Sequence, residues 1–235
     1  MFEGLLNVEN YKQMKKKISV WIFFILLLEI IVMDKRGFKV FDSIIPNFSL
    51  MIDMEFLKNV DVKLIIYPFL SAIFSFIFTI HDKISDVFRI RSGFEFRYIF
   101  SPITINILGK LPSSNKNVFM SDRHEIMRKM FYRYASSTDD GIVQRHHIHE
   151  ALTNWSWVWI SLEAILFNIV LAAISIITIG RFDLYLTLIF CGSFLFVGWF
   201  CWRRAKALAN AQIQQIMDNA NARAEIVVAL SGEII

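Results

Sequence analysis

The 235-residue chain is poor in cysteine, proline, glycine and charge: it has two Cys, four Pro and nine Gly, and only 20% of its residues are charged. Cys191 and Cys201 lie ten residues apart in one apolar stretch. On a helix that is about 15 Å, against the roughly 4–7 Å between Cα atoms that a disulfide requires, so a disulfide-stapled secreted fold is excluded. The scarcity of Gly and Pro argues against collagenous, low-complexity and disordered classes. No Gly-rich phosphate loop, Cys-x-x-Cys pair or nucleophile elbow occurs, so enzymatic chemistry and a bound cofactor are not expected. What is abundant is apolar surface: 55% of residues are hydrophobic, including 23 Phe, 6 Trp and 6 Tyr, and the mean hydropathy is +0.48. A water-soluble domain of this size still exposes roughly a third of its unfolded surface and could not hide that load, so an ordinary soluble enzyme is excluded and the bilayer is part of the solvent.

Four apolar runs are expected to span it: Ile18 to Met33, Leu64 to Ile80, Trp155 to Ile179 and Leu184 to Trp202. The hydrocarbon core asks for about 20 helical residues. The first two runs have 16 and 17 and would borrow length from Lys17, Lys63 and Lys83 by snorkelling. No small-x-small cleavage site follows the first run, which reads as an uncleaved anchor. Trp155, Trp157 and Trp159, with Trp199 and Trp202, are expected to form an aromatic belt at one interface. Of the 25 Lys and Arg, 19 fall in the leader, the middle segment and the tail, and six between Asp34 and Lys63 or at Arg181. The positive-inside rule therefore places both termini and the middle segment in the cytoplasm of a bacterial-type inner membrane. The external loop holds Phe48, Leu50, Met51, Met54, Phe56 and Leu57, which could lie along the outer surface.

In the third span Asn154, Trp157, Ser161, Ala164, Asn168, Ala172, Ser175 and Thr178 recur at steps of three and four. Ser71, Ser75 and Thr79 do the same in the second, and Thr187, Cys191, Gly198 and Cys201 in the fourth. Lipid supplies no hydrophobic drive between helices, so small and polar seams are where helices pack, and in an oligomer they could line a polar pathway. Glu29 and Glu163 sit inside spans. With Asn168 they are the intramembrane polar candidates, either satisfied by neighbours such as the Ser71 or Ser75 hydroxyl or by headgroups, or serving ion or proton traffic.

Beyond the second span, Asp82 to Arg91 reads as a helical continuation into the cytosol, against a hairpin turning at Ser92-Gly93-Phe94. Pro102 with Ile103 to Leu108 reads as a packed strand or a surface-lying segment. Asp122 with Glu125 resembles a capping box opening a helix through Ala135, whose apolar face is Ile126, Met127, Met130, Phe131 and Tyr134. Arg123, Arg128, Lys129 and Arg133 form the opposite basic face, open to a partner, an anionic ligand, a nucleic acid or lipid headgroups, or merely solvated. His146, His149 and Glu150 share a helical face at i, i+3 and i+4 and could ligate a metal, respond to pH, or form a polar collar. In the tail, Ala209, Ile213, Ile216, Ala220, Ala224, Val227 and Leu230 trace a thin apolar stripe suited to packing on a sister chain or on the middle domain. The fourth span and tail could be one helix from Leu184 to Leu230.

The expected architecture is mainly α: a leader (1–17), spans one and two (18–80) around an external loop (34–63), a cytoplasmic domain (81–153), spans three and four (154–202) and a C-terminal helix (203–235). In organisation only, this layout resembles the small four-span membrane subunits of bacterial antiphage systems of the Kiwa type. That resemblance implies a soluble cytoplasmic partner and a place in antiviral defence, and carries no residue roles. The expected function is a homo-oligomeric scaffold that senses or recruits a partner at its cytoplasmic face. The alternatives are a pore or channel subunit opened by a cytoplasmic signal, and a metal-dependent membrane enzyme.

Overall fold

The computed structural model describes residue 8 and residues 10–44, 63–109, 115–136 and 141–233. The apolar residues of the external loop between 48 and 57, and most of the leader, lie outside them. The described residues are mainly helical and contain no strand. Helices α1 (Tyr11–Lys35), α2 (Val40–Ile44), α3 (Lys63–Phe78), α4 (Ile80–Phe88), α5 (Ile90–Glu95), α6 (Ser101–Leu108), α7 (Asn115–Met127), α8 (Arg145–Ile179), α9 (Leu184–Asp218) and α10 (Ala220–Glu233) follow in order, with π-helical turns at Phe96–Phe100 and Arg128–Tyr132. Two compact units result. The first contains 1–11, 82–155 and 202–235; the second contains 12–81 and 156–201.

The second unit is inside out. α3 buries Ser71 and Ser75 and exposes Phe69, Leu70, Phe74, Phe76, Ile77 and Phe78. α8 buries Ser161, Glu163, Asn168 and Ser175 while Ile169, Val170, Ile176 and Ile177 face out, and α9 turns Leu184, Leu188, Ile189, Leu195 and Phe196 outward. Polar groups inside and large apolar groups outside is the arrangement that lipid favours and water opposes. α8 and α9 are each long and apolar enough to cross a membrane; α3 and α4 become a third candidate if taken together as one bent segment, the two meeting at 63°. α1 falls short because its most apolar stretch, Ile18 to Lys35, carries Glu29, Asp34 and Lys35. Its inner face, Ile18, Ile22, Leu26, Ile30 and Met33, is buried, and its end packs with Val40, Phe41, Leu64, Leu171 and Leu186.

The first unit is built the ordinary way round. Phe94, Phe100, Ile103, Phe119, Ile126, Met127, Met130, Phe131, Ile148, Ile216, Ile226 and Leu230 share one core, so the expected apolar face of α7 is indeed buried. Several expectations are corrected here. The 101–108 segment is a helix, since Pro102 lies in its first turn, where a missing N–H costs nothing. The hairpin at Ser92 to Phe94 is absent: α4 and α5 occupy that stretch, divided at Arg89, which has a positive φ of 51°. α7 begins at Asn115 rather than Asp122, and Asp122 is a kink within it (φ −114°, ψ 23°) whose carboxylate accepts a hydrogen bond from the Ser121 hydroxyl. Trp155 and Trp202 stack edge-on against Phe94 at 4.7 and 5.0 Å, Trp157 packs on Trp21 at 5.0 Å and Trp159 is buried. Of the expected belt, only Trp199 is classed as exposed.

The tail also departs from the single-helix expectation. α9 stops at Asp218, and Asn219 caps the next helix, its side-chain oxygen accepting from the Ala222 amide at 3.0 Å. The break resets the helical phase. Ala222 and Ile226 are buried in place of Ala220, Ala224 and Val227, while Ala209, Ile213, Ile216 and Leu230 are buried as expected, and the stripe is covered by the middle segment of the same chain.

Candidate functional site

Within the second unit, α8 gathers two buried polar clusters. In the first, His81 Nδ1 and Glu163 Oε1 share a hydrogen bond of 3.1 Å, and both side chains are sealed, at 1% and 0% exposure. The imidazole stands 6.2 Å from the Trp159 ring. Glu163 Oε2, Ser75 Oγ and Ser161 Oγ are buried without a hydrogen-bond partner among the described residues. α9 comes close at this level because position 198 is Gly: a Cβ there would meet Ser161 Cβ at 3.2 Å.

The second cluster ties four helices together. The Asn168 amide (α8) donates to Glu29 Oε1 (α1), the Cys191 thiol (α9) donates to Asn168 Oδ1 at 3.5 Å, and the Tyr67 hydroxyl (α3) donates to the Phe167 carbonyl at 2.7 Å. Glu29 Oε2 has no hydrogen-bond partner among the described residues. At the α8–α9 turn, Arg36 pairs with Asp183 at 2.5 Å, and Asp183 Oδ1 accepts the Leu186 amide at 3.0 Å, capping α9. The three intramembrane candidates are therefore all buried, and the structure brings Glu29 and Asn168 together. The partner of Glu163 is His81 rather than a serine hydroxyl, and Glu29 turns inward rather than to headgroups. Sequence reasoning missed His81 and Tyr67, whereas Cys191, expected in the seam of the fourth run, does meet Asn168 there. The available signal for His81 was a histidine directly after an apolar run that carries a serine seam.

The basic face in the first unit divides. Arg123 turns to the buried Glu95, donating to Oε2 at 3.1 Å, while Arg91 donates to Oε1 at 2.9 Å and the Tyr132 hydroxyl donates to the same oxygen. Burial first, and then the charge of Glu95, push the Tyr132 hydroxyl up to about 12. Lys129 pairs with Glu125 at 2.9 Å and Arg133 with Glu225 at 3.0 Å. Arg128, classed as exposed, lines an open groove of about 600 Å³ with Tyr132, Arg133, Asn219 and Asn221. A continuous basic face is thus reduced to that groove.

The structure does not assemble His146, His149 and Glu150 into a metal-holding group. Glu150 pairs with Arg204 at 3.2 Å, the His146 ring stacks edge-on against His147 at 4.0 Å, and among the described residues no group of three His, Cys, Asp or Glu can hold a metal ion. Helical spacing puts the three on one face, but the salt bridge draws the carboxylate to α9.

The chain belongs to the YmfE protein family, whose model matches residues 10–227. No curated protein and no solved structure matches it.

Proposed function

We propose that this member of the YmfE family is a multi-pass protein of the bacterial inner membrane that crosses it four times, keeps both termini and the first unit in the cytoplasm, and works as a homo-oligomer that senses or recruits a soluble partner. The observation that carries this reading is the first unit itself. The segment between the second and third expected spans and the C-terminal tail, separated in sequence by residues 154–202, fold around one aromatic core. Loops that merely connect spans would not need that core, whereas a docking platform does.

The four-span count is supported by α1. Its exposed residues are Tyr11, Lys12 and Lys16, then Phe24 and Leu28, then Lys35, with Arg36 exposed just beyond its end. From Lys16 to Lys35 is about 28 Å of helix, close to the hydrocarbon thickness of about 30 Å. The open groove around Arg128 is the surface we assign to the partner, and the span layout shared with antiphage membrane subunits suggests a role in antiviral defence. Purification in mild detergent with mass determination tests the proposal. The expected result is more than one copy together with a soluble protein that is lost in Arg128→Glu while oligomer size is kept. A monomer that retains no partner would overturn it.

A second reading, a pore or proton path, is favoured by one observation: Glu29 and Glu163 each leave one buried oxygen unpartnered. Glu163→Gln removes charge at nearly constant shape, so it should alter ion selectivity in planar bilayers. Absence of conductance from the wild type sinks this second reading.

A further inference from the structure

α4 (Ile80–Phe88) turns an apolar face outward that a helix in water would cover. Ile80, Ile84, Val87 and Phe88 share one face by their spacing of three and four; His81 and Ser85 share another. Of its two polar pairs the protein buries one: His81 is 1% exposed and bonded to Glu163, and Ser85 is 4% exposed, with its hydroxyl accepting the Arg91 amide at 3.3 Å, whereas Asp82 is half-buried and Asp86 exposed. The apolar face is open, with Val87 75% and Phe88 72% exposed. A surface helix in water does the reverse.

Both ends of α4 are broken by residues in the left-handed region, Thr79 (φ 45°) and Arg89 (φ 51°). For β-branched Thr79 that conformation is an outlier that its surroundings must hold in place. These breaks free nine residues, about 13 Å of helix, from the direction of α3. Leading into α4, Phe74, Phe76, Ile77 and Phe78 are also exposed, so the open apolar surface continues along the chain from a helix of the inside-out unit. Lys83 and Arg89, both exposed, flank Val87 and Phe88, in the position from which cations reach lipid phosphates.

We propose that α4 is an interfacial helix that lies in the headgroup region of the bilayer with Val87 and Phe88 at the acyl boundary. It does not project into the cytosol as an extension of α3. The occupant of its open face is lipid, because continuity with the outward face of α3 and the flanking cations both suit a bilayer surface. This inference rests on the membrane reading above.

Single-cysteine variants test it. In a Cys191→Ala, Cys201→Ala background reconstituted in phosphatidylethanolamine–phosphatidylglycerol vesicles, spin labels are placed at Val87→Cys and Phe88→Cys, at Asp86→Cys on the same helix, and at Leu188→Cys on the outward face of α9. Oxygen collisions should exceed those of a water-soluble nickel chelate at 87, 88 and 188, with the order reversed at 86. Chelate access at 88 with oxygen access at 188 overturns the interfacial helix and leaves the membrane reading standing. Shielding of 88 from both quenchers means that a protein covers this face, which also overturns it. Chelate access at 188 removes the membrane reading and the inference with it. Should the alanine background fail to assemble, Phe88→Trp in the wild-type chain gives an equivalent test. Brominated acyl chains should quench its added emission, and unquenched emission refutes the proposal.

Discussion

Ile226 and Val227 are neighbours on α10, and an unbroken helix from α9 would bury the second of them. With the phase reset at Asn219, Ile226 is 0% exposed and Val227 is 42% exposed. Ile226→Ala removes three buried carbons from the core it shares with Phe131, Met217 and Leu230, a change that costs about 2–5 kcal/mol. Val227→Ala should stay within about 0.5 kcal/mol, as surface changes do. Hydrogen exchange on the full chain in detergent reads both, with the amides of Ile126 to Tyr134 reporting the opening of the unit across the core. Exchange that proceeds through that opening should accelerate about 30-fold to several thousand-fold in Ile226→Ala, and about twofold in Val227→Ala. Equal effects, or a larger effect at 227, would mean that α9 and α10 are one helix and that the break at Asn219 is wrong.

Tyr132 is held protonated to about 12, above the ordinary value of 10 for tyrosine. Its contribution to stability is therefore complete below about pH 10 and lost as the pH rises toward 12; exchange of the first unit's amides should quicken across that window, and less so in Tyr132→Phe. Gly198→Val forces a side chain against Ser161 and should lower thermal stability in detergent by about 1–3 kcal/mol. Gly192→Val, where nothing lies within 4 Å, should cost no more than the loss of helix propensity of a branched residue. A reporter after Ile235 or near Ser114 should be cytoplasmic and one near Pro46 external; an external signal at Ser114 would refute the four-span topology.

Local patterns were legible where period and chemistry agree. The seam residues Ser161, Ala164, Asn168 and Ser175 are buried as their spacing implied, because a 3.6-residue period fixes a face whatever packs on it; the face from Ile126 to Tyr134 is buried too, although a π-helical turn at Arg128–Tyr132 interrupts that period. Long-range pairing was not legible. His81 and Glu163 are 82 positions apart, and no periodicity links one helix to the partner of another. Breaks were missed for a different reason. Asn219 sits in an Ala-, Asn- and Gln-rich run that permits a helix throughout, and its capping role emerges only when the following turn must redirect Ile226 into a core. The tryptophans show what a composition rule leaves out. Interfacial aromatics are expected at span ends; Trp155 and Trp202 are half-buried, packed edge-on against Phe94, a partner that no periodicity names.

The burial pattern changes its rule part-way along two single helices, independently of any count of Lys and Arg. On α9 the exposed residues include Leu195, Phe196, Trp199 and Phe200 and then, within two turns, Arg203, Arg204 and Lys206. The same helix next turns Ala205, Ala209, Ile213 and Ile216 inward. Its outer surface thus passes from apolar to charged between Phe200 and Arg203, at the residue where the two compact units divide. α8 makes the matching change in the opposite sense. Its first turn exposes Arg145 and His146 and buries Ile148, whereas beyond Glu163 it exposes Leu166, Ile169 and Val170 and buries Asn168. A helix in one solvent keeps one rule of burial along its length. On α9 the rule changes between Phe200 and Arg203 and on α8 between His146 and Leu166, and the buried pairs His81–Glu163 and Glu29–Asn168 supply hydrogen bonds between helices, the means of association that a lipid surround favours.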